Sequence, residues 1–550
     1  MRSNWIGISR LWSLAIVFSG LVLANEVVAA DAPRTLTLRT RVESPEGSGR
    51  YRVVEQAADW DLDRTAIIVC DMWDVHHSLN ATHRGAELVP RMDQVLRTAR
   101  DQGALIIHAP SGCMDAYEGH PARQRAIETP RSGALPPDIG KWCYQIPFEE
   151  KGTYPIDQTE GGVDDNPVEH ERWAARLTAM GRDPGRPWKM QTPRLSINPD
   201  LDVISDDGEE IWSLLEHRGI EHVILLGVHT NMCVLGRPFG LRRMAENGKD
   251  VVLMRDMTDT MYDPRRAPFV SHFTGTDLIV EHIEKFVCPT ITSVALIGGA
   301  EFRFRDDRRP HVVFIVAEDE YETEITLPEF AAKELGKNYR VSFVLGDDDE
   351  RNALPGIQVL DDADLAVISV RRRLLPTDQL ETLRRFIAEG KPVIGIRTAS
   401  HAFSLRGDAS TPEGLAAWPE IDAEVFGGNY TNHHRVGPKT RIEAAPGAKD
   451  HPILSGVDLS DFQSVGSLYK VRPLADSTTP LLIGSIPVEE PEPVAWTNLS
   501  GSGGRVFYTS LGHKDDFLQP QFRKLLRNAI DWAVDLKAPT SIDVPARTDQ

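Results

Sequence analysis

Short runs of almost unbroken apolar residues recur along this chain, and each fits a strand covered on both faces. TAIIVCDMW (65–73), ALIIHAP (104–110), HVILLGV (222–228) and DVVLMRD (250–256) lie in the first half. HVVFIVAED (311–319), DLAVISV (364–370), PVIGI (392–396) and GRVFYTS (504–510) lie in the second. A strand with one face in water would alternate apolar and polar residues; these do not, which points to parallel sheets buried by helices. Helical stripes sit between the runs. Leu88, Met92, Val95, Leu96 and Ala99 share one face before Gly103, and Phe522, Leu525, Leu526, Ala529, Ile530 and Ala533 share another. Strands alternating with helices predict an α/β protein: two three-layer α/β/α domains with mainly parallel sheets. A length of 550 residues suits two such domains.

The expected boundaries are 1–30 for a signal peptide and 31–59 for an N-terminal extension. A first domain follows over 60–295, then a linker over 296–310 where EFRFRDDRRP is densely charged. A second domain spans 311–537, with a polar tail over 538–550. Arg2 and Arg10 precede the apolar stretch Leu11–Ala24, and Val28, Ala29 and Ala30 offer a cleavage site before Asp31. That stretch is short for a membrane span, which needs about 20 apolar residues. The expectation is therefore a periplasmic or secreted protein with no stable membrane span after cleavage. The net charge of −20 disfavours nucleic acid as a partner. Cys70, Cys113, Cys143, Cys233 and Cys288 all precede residue 300, so the second half has no thiol nucleophile. Cys113 and Cys143 could pair, although spacing alone does not assign them.

Chemistry concentrates at strand ends. Asp71 closes the first apolar run, and Cys233 lies in GVHTNMCV, where a helix begins after the strand 222–228. Exposed N–H groups at such a point stabilise a thiolate and can hold an oxyanion. With a cation, an acid and a thiol form a hydrolytic triad.

These residues resemble the isochorismatase-like cysteine hydrolases, which include nicotinamidases and carbamoyl amidohydrolases, over roughly residues 60–290. The resemblance implies Cys233 as nucleophile and Asp71 as general base. It also implies a cis peptide between Val228 and His229 that aims N–H groups at the oxyanion. Lys189, in PWKMQTP, is the positional candidate for the cation. Trp73, His76, His77 and His108 are expected around the substrate. Asp74, His76, His77 and His83 are candidate metal ligands, but their spacing differs from the nicotinamidase cluster, so the hydrolase is expected to need no cofactor. Arg237, Asp256 and Asp259 are expected as structural hydrogen-bonding groups.

In the second half, GGNYTNHH (427–434) and GRVFYTSLGHKDDF (504–517) resemble the ThuA-like, or trehalose utilisation, domain. This implies a glutamine amidotransferase-like (flavodoxin-like) fold and a link to carbohydrate metabolism. No Cys occupies the turn after PVIGI, which reads Arg397-Thr398-Ala399-Ser400-His401. His401, His433, His434, His513 and Asp515 form a candidate second site that could hold a divalent metal. The leading expectation is an exported hydrolase cleaving a C–N bond of a small amide or carbamoyl compound, possessing a carbohydrate-related second domain and assembling as a homo-oligomer. The alternatives are sugar chemistry in the second domain, on a keto-sugar or glycoside, and a small-molecule binding protein without turnover.

Overall fold

The computed structural model describes residues 33–347, 350–407 and 410–535. The expected signal peptide (1–30) and tail (538–550) lie outside the described residues.

The first sheet has eight strands: β1 (Arg34–Glu43), β2 (Tyr51–Trp60), β3 (Thr65–Cys70), β4 (Leu105–Ala109), β5 (Val203–Ile204), β6 (His222–Val228), β7 (Asp250–Asp259) and β8 (Thr290–Ile291). Their spatial order is β2-β1-β8-β7-β6-β3-β4-β5. From β8 to β5 all neighbours are parallel. β1 joins antiparallel to β8 and β2 antiparallel to β1. The two faces of β3 show why its sequence is apolar throughout. Ala66, Ile68 and Cys70 pack with Ile211, Leu215, Ile279 and Ile283 from the helices Gly208–His217 and His272–Phe286. Ile67 and Val69 pack with Leu88, Met92, Val95 and Leu96 from the helix Leu79–Asp101. The region 31–59, expected as an extension, mostly forms the β1–β2 hairpin. Buried ion pairs from Arg39 and Arg41 to Glu284 fasten it to the last helix of the layer, at 2.7 and 3.0 Å.

The second sheet has nine strands. Arg340–Leu345, His311–Ala317, Leu365–Val370, Val393–Ile396 and Arg505–Thr509 run parallel in that spatial order. Four antiparallel strands extend it from Glu492–Leu499 to the short strand Gln463–Ser464. Val312, Phe314 and Val316 meet the helices Thr323–Glu334 and Pro520–Ala533 on one face. Val313 and Ile315 meet Leu380, Leu383 and Phe386 of the helix Thr377–Ala388 on the other. Both halves are thus mixed α/β with large, mainly parallel sheets. No described helix is long and apolar enough to cross a membrane.

Candidate active site

Adjacent parallel strands β3 and β6 end side by side, and the candidate residues lie just past their carboxyl ends, where open α/β sheets leave a crevice. β6 comes unusually close to β3 there. A Cβ on Gly227 would lie 2.1 Å from the Cys70 carbonyl oxygen, so this position, at φ +107°, admits only glycine. The Val228–His229 peptide that follows is cis. The turn Thr230–Val234 is then clamped from two sides. The Thr230 and Thr258 hydroxyls are 2.7 Å apart, and Asn231 makes two 2.9 Å bonds with the backbone of Met261.

Asp71 is fully buried and sits at φ +48°, a left-handed conformation that Asp tolerates better than most residues. Its Oδ1 accepts from the Ser111 N–H at 2.7 Å. Its Oδ2 accepts from Arg237 Nε and Nη2 at 3.1 and 3.0 Å. Cys233 hydrogen-bonds the same carboxylate, and the His229 N–H points at the Cys233 sulfur. Burial pushes the Asp71 carboxyl up, and Arg237 opposes that. Burial, then the Asp71 charge, pushes the Cys233 thiol well up. The resting pair is therefore a neutral thiol against a carboxylate, rather than a free thiolate. Cys70 lies next to this pair and is likewise pushed up, by burial first. All five cysteines are unpaired: Cys113 faces the Ser111 carbonyl and Cys143 that of Gln145, so these two form no disulfide.

The cation beside Asp71 is Arg237, not Lys189. Lys189 is exposed, and its backbone N–H donates to Asp74 at 3.1 Å. Arg237 arises from the same turn as the thiol: its N–H donates to the Cys233 carbonyl at 3.0 Å. Its guanidinium lies 5.4 Å from the centre of the Trp142 ring. Expected as merely structural, it is the cation bonded to the Asp71 carboxylate. Asp256 accepts from Ser293, and Asp259 forms a buried ion pair with Arg84 and a 2.9 Å hydrogen bond with His272.

Cys233 and Arg237 line a cavity of about 900 Å³. Trp73, His76, His77 and His229 line it too, as does Trp188, stacked 4.3 Å from Trp73. Burial lowers His229 to about 3 and His76 well below its usual range, so both imidazoles are neutral. His108 does not reach the cavity; it is sealed between Gln191 and Asp202 at 3.0 and 3.1 Å. Nor do Asp74 and His83 join His76 and His77. Asp74 pairs with Arg182, and His83 is exposed. Among the described residues, no three His, Cys, Asp or Glu side chains are grouped to hold a metal ion.

The far wall was not foreseen. Glu149 is buried between Arg242, bidentate at 2.7 Å, and His282 at 2.8 Å. Burial alone would raise its carboxyl, but the bonds from His282 and Arg242 outweigh it and hold it at about 2. We expect Glu149→Ala to destabilise the fold by about 3–5 kcal/mol, because it strands a buried guanidinium. Urea denaturation of the two proteins checks this. The depressed value also means that Glu149's contribution is present above the usual carboxylate range. It is lost as pH falls from there through about 2.

The second set of candidates does not converge. His433 is exposed, with its Nδ1 on the His434 carbonyl at 2.7 Å. His434 faces Glu489 and Glu492 at 3.1 and 3.5 Å. His513 caps the short helical turn Lys514–Leu518 through the Asp515 N–H. His401 stacks on Tyr430 at 4.5 Å.

Residues 311–533 match the ThuA family, described as trehalose utilisation. No curated protein matches the chain. Solved structures similar to it include a ThuA-like protein of Bacteroides uniformis ATCC 8492, at 15% identity and a TM-score of 0.33, covering 43% of this chain and 95% of that one. A cysteine hydrolase of Pseudomonas syringae pv. phaseolicola 1448A has 17% identity and a TM-score of 0.25, covering 43% and 93%. N-carbamoylsarcosine amidase of Thermoplasma acidophilum has 13% identity and a TM-score of 0.23, covering 42% and 96%.

Proposed function

We propose that the first half of this chain is a cysteine hydrolase acting on a C–N bond of a small amide or carbamoyl compound. The observation that carries this is the buried Asp71–Cys233 pair, with Arg237 on Oδ2 of the carboxylate, where Cys233 and Arg237 line a cavity of about 900 Å³. As the Cys233 sulfur bonds to the substrate carbonyl carbon, its proton passes to Asp71. The carbonyl oxygen takes the negative charge and is held by the N–H groups of His229 and Cys233. Asp71 returns the proton to the departing nitrogen as the C–N bond breaks, leaving a thioester. Water then attacks, giving its proton to Asp71; the C–S bond breaks, the acid leaves, and the sulfur takes the proton back. Neutral His76 and His229 beside the thiol add no competing charge, and the Trp73–Trp188 wall suits a compact, flat substrate.

The test is ammonia release from a panel of primary amides and N-carbamoyl compounds, with electrospray mass measurement of the protein during turnover. Cys233→Ala is expected to release no ammonia above background and to carry no acyl adduct. Equal release by that variant would end the proposal.

A further inference from the structure

Past the carboxyl ends of the second sheet, four arginines gather, and among the described residues only Arg371 has a carboxylate in an ion pair. The strand Val393–Ile396 ends in Arg397, at φ +45° and buried. Its guanidinium lies 4.2 Å from the centre of the Tyr321 ring and 4.7 Å from that of Tyr469. It donates to the Ser510 carbonyl at 2.6 Å, while its Nε is buried with no hydrogen-bond partner. His401 follows on the same turn. Its ring stacks on Tyr430, which stands 4.6 Å from Tyr469. The neighbouring strand Leu365–Val370 delivers Arg371 and Arg372, and the Arg372 N–H donates to the His401 carbonyl at 3.2 Å.

Arg371 pairs with Glu320 at 2.7 Å. Among the described residues the Arg372 side chain hydrogen-bonds only the Leu405 carbonyl, at 3.3 Å. Among the described residues neither Arg372, Arg397 nor Arg406 makes an ion pair. The carboxylate whose charge acts on Arg397 is Asp516; its Oδ2 accepts from Ser464, Gly512 and His513, and its Oδ1 is buried without a hydrogen-bond partner. Burial first, then Arg372, Arg371, Arg397 and Arg406, lowers His401 to about 3, so the imidazole is neutral and adds no positive charge of its own. A divalent cation brought to His401 would meet four guanidiniums. The residues present do not fit the metal expected from the sequence.

We infer that this edge of the second sheet is a binding site for a small oxyanion, a carboxylate or a phosphate. Half-buried Arg372 and exposed Arg406 supply the donors. Arg397 adds its field from beneath, and the His401–Tyr430 stack forms a flat wall for the ligand's body. Guanidinium suits both oxyanions because its planar fork matches two oxygens at once.

Calorimetric titration of the full chain at low ionic strength tests this, using sodium glucuronate, inorganic phosphate and neutral glucose as probes. The expected result is that at least one anion binds tenfold or more tightly than glucose, and that added sodium chloride weakens it. Tighter glucuronate identifies a carboxylate site; tighter phosphate identifies a phosphate site. The double variant R372Q/R406Q should lose tenfold or more in affinity with an unchanged thermal melt, while R372K, which keeps the charge but not the fork, should retain only part of it. The inference is overturned if neither anion outbinds glucose, if the double variant binds as the parent does, or if Mn²⁺ or Zn²⁺ binds and His401→Ala removes it. None of these outcomes touches ammonia release at Cys233, so the two sites stand or fall separately.

Discussion

Asp71→Asn lowers kcat/KM for amide hydrolysis by roughly 10²- to 10⁴-fold, the range spanned by a lost general base. The effect is large because no thiolate waits in the resting site. Burial pushes the Cys233 thiol well up, so its proton must leave as the sulfur attacks, and Asp71 is the group hydrogen-bonded to it. Asparagine keeps an oxygen for the Ser111 N–H but cannot take the proton. Arg237 is partly exposed and can turn to water when its partner is neutral, so the thermal melt should change little. Steady-state ammonia release with a parallel melt decides the matter, and activity within tenfold of the parent would remove Asp71 from the proton path. The same argument fixes the pH dependence. Burial raises Asp71 above the usual carboxylate range, so kcat/KM should fall on the acid side as pH drops through that raised value.

Arg237→Met is expected to be nearly as damaging, by about 10²-fold at neutral pH, and in a different way. Arg237 is the cation that opposes the burial penalty on Asp71. Without it the carboxyl rises further, a larger share is protonated, and the acid limb of kcat/KM moves to higher pH. A merely structural arginine would lower activity at every pH without moving that limb. Arg237→Lys should restore part of the activity and return the limb toward the parent position. Lys189→Met should stay within about twofold of the parent, because Lys189 is exposed on a loop whose backbone, not its ammonium, is bonded to Asp74. An inactive Lys189→Met beside an active Arg237→Met would reverse the assignment.

The parts of this molecule visible in its sequence are those set by local pattern. Continuous apolar runs at 65–70, 222–228 and 311–317 are strands buried on both faces, because only two covering layers make such runs favourable. The thiol and its partner acid were legible because each sits where a strand ends. The cation was not, because two signals competed. Lys189 lies in a stretch rich in Pro and Gly with no period to place it, and only the fold shows its side chain turned to solvent. Arg237 did carry a signal: it lies four residues after Cys233, one helical turn away. The Glu149–Arg242–His282 wall had none, since it joins residues far apart in the chain that nothing local connects. The hairpin β1–β2 was legible in principle, as RTLTLRTRVE alternates along a half-covered strand. In the second half the histidines were plain, but their company was not. Four arginines around His401 come from two strands and a loop, and they change what the imidazole can do.

The pairing of β1 with β8 also bears on how this protein comes to exist. Arg39 lies opposite Thr290, so the first strand made is held by the last strand of its sheet. During synthesis the β1–β2 hairpin has no strand of the sheet to dock on until the chain has passed residue 290, and Glu284, the buried counter-ion of Arg39, arrives only just before. Closing so long a loop is slow compared with forming local helices and adjacent parallel pairs. The interior of the sheet can assemble from β3, β4 and β6 while the hairpin is still free. Closure of the edge is therefore a late event, one that leaves the β1–β2 hairpin undocked for most of the time it takes to make the domain.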